Sequence, residues 1–394
     1  MEEQKIRKKL PLALLLFIIL MAVTLLLCAT VFGIWLHGRS VLRSRTVKAP
    51  AIDQSDNAQL DSYTIYRDGK YYRYKDGMVN LLLMGVDADE KFSQPQAYGG
   101  DYQADVILLA ALDTVNNRMT LISVSRDTMC DIAILEDDRH QQGVAHAQIA
   151  LSYAYGDGLT VSCELCREAV STLFHGLEID GYGAFFLGGV GKLNDALGGV
   201  TVTVPEGLPN IPAFYGMTSG STVTLTGDQA RAFIQWREED AAGNDGRMQR
   251  QKQLLLSAIS QMRRQIKSNP ASVLRLYNTV SDYVLTDLDL SHIVYLATEA
   301  AAMGFSGDIL RVPTGEGTVS AQNHLELPVD EEGLNDLILS VFYEEFTPDA
   351  LLRHKTRLPR SAAGAFVRFA RKTTGDFFDI TDKNYCKTAR NAVN

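Results

Sequence analysis

Four charged residues sit where apolar runs stop. Asp87 ends NLLLMGVD, Asp105 opens DVILLAALD, and Arg126 and Asp127 follow RMTLISVS. A charge abutting a buried strand costs free energy unless it is paired or binds something. If the three runs are antiparallel neighbours, the end of one strand lies beside the start of the next. Asp87, Asp105 and Arg126 then converge at one sheet edge. Two close carboxylates suit a hard divalent cation, Mg2+ or Mn2+, which also takes phosphate oxygens. The alternative is an Asp–Arg ion pair that finishes the strands.

A second constellation lies in FIQWREEDAAGNDGRMQRQKQLLL, which starts at Phe233. It holds Arg237, Arg247 and Arg250 with Gln249 and Gln251, and Gly243 and Gly246 interrupt it. The pattern predicts a helix ending near Trp236, a Gly-rich loop and a second helix opening near Gly246. Arg247 then falls in the first helical turn, where bare amides favour an anion. Arginine forks match phosphate oxygens. The plainer alternative is a solvated helix face.

Elements must hold these groups in place. Three continuous apolar strands imply a sheet covered on both faces. YTIYRDGKYYRYKDGM alternates around Asp68-Gly69, a hairpin signal, and Asn116-Asn117 turns between the second and third strands. Helical patterns are expected at 145–155, 161–174, up to Ala196, 226–236, 246–268, 272–282, 288–304 and 331–343. IDGYGAFF, GVTVTVP and DILRVP read as further strands, and LGGV at 197–200 as a turn. Strands mixed with helices throughout predict an α/β class with one mixed sheet.

The chain has 394 residues and a net charge of -9, a poor match to nucleic acid. Residues 1–9 are short and basic, and 10–38 contain no Asp, Glu, Lys or Arg. That run is long enough to span a bilayer as a retained anchor. The expected organisation is therefore a cytoplasmic 1–9, a transmembrane helix 10–38, a linker and hairpin 39–79, an exported domain 80–346 and a basic tail 347–394. The tail carries GAFVRFARK, suited to a membrane surface or to plain solvation. Cys163 and Cys166 form CELC, either a disulfide or redox pair or two packed thiols. No GxSxG, P-loop or dinucleotide fingerprint is present, and His146 and His175 stand alone.

NLLLMGVD, DVILLAALD, SVSRDT, SYAYGDG, LNDALGGVTVTVP, LTGDQARAFIQWR and DGRMQRQKQ, in this order over about 80–260, resemble the LytR-CpsA-Psr family. The resemblance implies an α/β/α domain with an apolar cavity for a lipid chain. It implies transfer of a secondary cell-wall glycopolymer, teichoic-acid-like or capsular, from a polyprenyl-(pyro)phosphate carrier to peptidoglycan, with a divalent metal. By motif, Asp87 and Asp105 match the metal-site carboxylates and Arg126 the arginine of S-x-x-RDT. Arg237, Arg247, Arg250 and Gln251 match the phosphate-gripping cluster. Asp245 or Asp127 would deprotonate the acceptor hydroxyl. Gln148, Gln235 and Asn244 stand where the family pattern has Lys, Arg and Asp. A polyprenyl-phosphate-binding regulator or scaffold, or a lipid-pyrophosphate hydrolase, are the alternative readings.

Overall fold

The computed structural model describes residues 33, 35–38, 49–50, 63–89, 91–92, 102–135, 141–209, 211–236 and 243–347. The expected cytoplasmic end, most of the apolar run 10–38, the linker 51–62 and the tail beyond 347 lie outside them. Among the described residues no helix is long and apolar enough to cross a membrane. The described residues within 46–87, 93–185 and 304–347 form one compact unit, and those within 33–45, 88–92 and 186–303 form another.

In chain order, the first unit opens with a hairpin, β1 (Thr64–Arg67) and β2 (Lys70–Tyr74). Asp68 and Gly69 both have positive φ, 54° and 77°, the geometry a two-residue turn between twisted strands requires. β3 (Met78–Val86), β4 (Ala104–Asp113) and β5 (Arg118–Val124) are the three apolar runs. They are antiparallel neighbours, with Leu82 opposite Leu109 and Leu109 opposite Ile122. All three side chains are fully buried. The Asp113 carboxylate accepts from the Val115 and Asn116 amides at 3.2 and 2.8 Å and shapes the turn between β4 and β5.

β6 (Met129–Leu135) and β7 (Gln141–Gln148) form an antiparallel hairpin. This corrects the helix expected over 145–155. Residues 145–148 alternate as a strand paired to β6, and only α1 (Leu151–Ala154) is helical. α2 (Thr160–Leu173) follows, and Asp157 caps it: Oδ1 accepts from the amides of Leu159 (2.8 Å), Val161 (3.1 Å) and Ser162 (3.3 Å). SYAYGDG is thus largely a helix entrance. β8 (Gly181–Phe186) lies beside β3.

The second unit contains α3 (Val190–Ala196), β9 (Thr201–Thr203), β10 (Thr222–Thr224), α4 (Gly227–Gln235), α5 (Gly243–Ser268), α6 (Ser272–Val280), β11 (Val284–Thr286) and α7 (Leu290–Ala302). Its core gathers Leu197, Val202, Phe214, Phe233, Leu254 and Leu276. Buried Asn194 organises the LNDALGG segment: Nδ2 donates to Leu225 O at 2.7 Å, and Oδ1 accepts from Val200 N at 2.9 Å. Gly199 has φ +86°, and a Cβ there would sit 2.5 Å from Thr224 Cγ2, so LGGV is a turn as expected. Thr226 and Gln229 make a reciprocal capping box at the start of α4.

The chain returns to the first unit in β12 (Gly304–Arg311), which runs parallel to β5. The strand order in this unit is β8-β3-β4-β5-β12, so the α/β class and mixed sheet are as expected. After the short β13 (Thr318–Val319) and β14 (Leu325–Glu326) comes α8 (Glu331–Phe342), N-capped by Asp330. β15 (Tyr343–Phe346) closes on β2, a pairing its sequence did not announce.

Candidate active site

The β3–β4–β5 register brings the strand-end charges together. Val86 pairs with Ala104, so Asp87 leaves β3 where β4 begins, and Ile107 pairs with Val124. Arg126, two residues beyond β5, donates through Nη1 to Asp105 Oδ1 and through Nη2 to Gln103 Oε1 at 2.6 Å. Its Nε lies 3.8 Å from Asp127 Oδ1. The Asp–Arg pair weighed in the sequence is therefore present, and Gln103 is a partner that no sequence signal announced. Asp87 is exposed at the same end of the sheet.

Asp127 is held from the other side. Gln148, the last residue of β7, donates Nε2 to Asp127 Oδ1 at 3.0 Å and to Leu325 O at 2.6 Å. Burial raises the Asp127 carboxyl above its ordinary range; Arg126 pulls it back down, and nearby Asp105 pushes it up again. A carboxylate with a raised pKa beside an arginine can take a proton from an incoming hydroxyl.

The donor chemistry for a divalent ion fits in part. Asp87 and Asp105 offer carboxylate oxygens at one sheet end. Among the described residues no group of three His, Cys, Asp or Glu is arranged to hold a metal. Mg2+ bound by one or two carboxylates usually completes its shell with waters and substrate phosphates, and such a shell is compatible with this pair.

The arginine helix tells a different story. Arg250 is 5 % exposed, donates through Nε to Phe233 O at 2.9 Å and through Nη2 to Trp236 O, and its guanidinium lies 4.7 Å from the centre of the Trp236 ring. Gln251 Nε2 donates to Ile234 O at 3.2 Å. Both residues satisfy carbonyls at the C-terminal end of α4, groups that have no partner inside the helix. Arg247 is half-buried, three residues ahead of Arg250. Arg237 and the side chain of Asp245 lie outside the described residues. Arg231, which the sequence reading passed over, pairs with Asp89 and donates to Gln235 Oε1 at 3.0 Å.

Cys130, Cys163 and Cys166 are free and buried. Burial pushes the Cys130 and Cys166 thiols up to about 12. The CELC pair is packed thiols, not a disulfide.

Residues 42–323 match the LytR_cpsA_psr family. The chain belongs to this family. Among curated relatives, a protein of Oceanobacillus iheyensis named polyisoprenyl-teichoic acid–peptidoglycan teichoic acid transferase TagU is 30 % identical over 237 residues, 58 % of this chain and 65 % of that protein. The TagU of Halalkalibacterium halodurans is 27 % identical over 257 residues, 64 % of this chain and 75 % of that one. The chain thus spans just under two thirds of the first relative's length. A crystal structure of protein gbs0355 from Streptococcus agalactiae superposes with a TM-score of 0.54 at 19 % identity, over 72 % of this chain and 96 % of that one. That likeness is one of fold, a mixed α/β arrangement.

Proposed function

We propose that this LytR-CpsA-Psr protein transfers a teichoic-acid-like or capsular glycopolymer from a polyprenyl-(pyro)phosphate carrier to peptidoglycan. The observation that carries the reading is Arg126, held between Asp105 and Asp127 at the end of the buried sheet. Family membership and the names of the relatives agree with it. Arg126 neutralises carrier phosphate oxygens, where charge builds as the bond to the carrier breaks. The acceptor sugar hydroxyl attacks the polymer-side phosphorus of the carrier pyrophosphate, its proton passes to Asp127, and the P–O–P bridge breaks so that the carrier leaves as polyprenyl phosphate. Gln148 orients Asp127 for that transfer. Asp87 and Asp105 would hold Mg2+ or Mn2+, which supplies further charge neutralisation at the phosphate. The run 10–38 anchors the chain in the cell membrane by a single pass, with the body outside and no nucleic acid among its partners.

The test is transfer in a purified system, with lipid-linked teichoic acid precursor as donor and peptidoglycan oligomers as acceptor. A covalent polymer–peptidoglycan product is expected, and Arg126→Ala should abolish it. Free polymer without conjugate would instead show a hydrolase. Donor binding with no turnover would show a binding regulator or scaffold.

A further inference from the structure

We propose that α7 is seated on the lipid surface: the end of the apolar run docks on it and holds its first turn among the outer headgroups. The inference rests on the single-pass anchor proposed above and adds to it the surface of the folded body that meets lipid.

Residues 33 and 35–38, the last of the run without Asp, Glu, Lys or Arg, are helical. They belong to the same compact unit as α7. The contact between the two is close. The Trp35 ring meets the Tyr295 ring edge-on, with centroids 5.8 Å apart, a geometry that attracts beyond the area it buries. Tyr295 is 2 % exposed, and Gly38 is buried. A Cβ at Gly38 would overlap the Ser291 carbonyl and stand 3.0 Å from Tyr295 Cβ. The chain therefore crosses α7 where only a glycine lets the backbones approach. Ser291 and Tyr295, four residues apart, share one face of the helix.

Length sets the height. The run 10–38 exceeds by about nine residues the ~20 that a bilayer core needs. Its last residues clear the hydrocarbon and fall among the headgroups, where tryptophan is favoured. A helix packed on those residues is carried to the same level. Leu36 and Leu290 are 44 % and 42 % exposed, so each partner of the docked pair leaves one large apolar side chain open. Asp287 and Asp289 lie just ahead of α7, and a carboxylate is costly in hydrocarbon. Leucine beside carboxylates suits the headgroup layer rather than the core. One leucine on each partner is also too little area for a stable protein interface. An anchor ending in a free linker would let the body turn over the membrane. A docked one keeps the same face of this unit toward the lipid, where a lipid-linked donor lies.

The full chain with Cys28→Ser and Cys386→Ser retains only the three buried cysteines. In that background Leu290→Cys would carry an NBD fluorophore, with the protein inserted in vesicles of phosphatidylethanolamine and phosphatidylglycerol. Lipids bearing a nitroxide on the headgroup should quench the label by at least half, and lipids bearing it at the chain end far less. Gly38→Val and Trp35→Ala should each lose most of the headgroup quenching while staying inserted and keeping the parent circular dichroism. No headgroup quenching in the inserted parent, or quenching that survives in both variants, would overturn the docking. Shielding from iodide without lipid quenching, with energy transfer between labelled copies, would place a second copy of the chain at Leu290 and reject the lipid seat. Extraction by alkaline carbonate would instead sink the anchor reading, and the seat with it.

Discussion

Arg126 reaches from the end of β5 to Asp105 at the start of β4, and its second terminal nitrogen donates to Gln103 at 2.6 Å. One guanidinium thus fastens two strand ends and also stands beside Asp127. Arg126→Lys keeps the charge and loses the fork. Transfer activity should fall by about a hundredfold, the scale of losing one electrostatic donor. The pair is more than a third exposed on the arginine side, so stability should change by no more than about 1 kcal/mol. Parallel activity and urea-melt measurements separate the two effects.

Asp105 is the carboxylate whose charge is already matched. Without metal, Asp105→Asn should lower stability slightly, by at most about 1 kcal/mol, because Arg126 loses its anion. Wild type should gain thermal stability on adding Mg2+, and the mutant should not, since binding stabilises by mass action. A metal-insensitive wild type would leave Asp105 as structure alone. Four melting curves decide it.

Asp127→Asn should abolish transfer while sparing the fold, since the amide oxygen can still accept from Gln148. Burial raises the Asp127 pKa in the folded state, so its ionised form is the disfavoured one there. The carboxylate therefore subtracts stability at neutral pH and none below the ordinary value of 3.8, where it is protonated both folded and unfolded. The mutant should be equal to or more stable than wild type at pH 7, with the gain vanishing as pH falls. A mutant destabilised at pH 7 would reject the burial argument.

Arg250→Ala should be a stability mutant first. It strands the carbonyls of Phe233 and Trp236 and removes the cation from the Trp236 ring. Losing hydrogen bonds at a 5 % exposed guanidinium should cost about 2–4 kcal/mol, read as a lower urea midpoint. A midpoint equal to wild type would show that Arg250 does not secure α4.

The buried thiols should be inert. Mass-mapped maleimide labelling of the native protein should miss Cys130, Cys163 and Cys166, because the thiolate is the reactive form and burial holds two of them near 12. All three should label in guanidinium chloride. Native labelling of Cys163 or Cys166 would reopen a redox role.

Local chemistry settled much from the sequence alone. Asp68-Gly69 specifies a tight hairpin because both residues tolerate positive φ, and three short apolar runs rich in branched residues, bounded by turn signals, read as strands. Charges at the ends of those runs marked the Asp105–Arg126 edge before any geometry was known. Three-dimensional pairing decided the rest. Residues 145–148 read as helix until β6 supplied a hydrogen-bonding partner, and β15 has no use for its strand form without β2. Arg250 and Gln251 carry the composition of an anion grip. Only the fold brings the open carbonyls of α4 within their reach, and an arginine donates to whichever acceptor the packing places beside it. Which donors a side chain spends on its own backbone depends on contacts distant in sequence, and no spacing of residues encodes them.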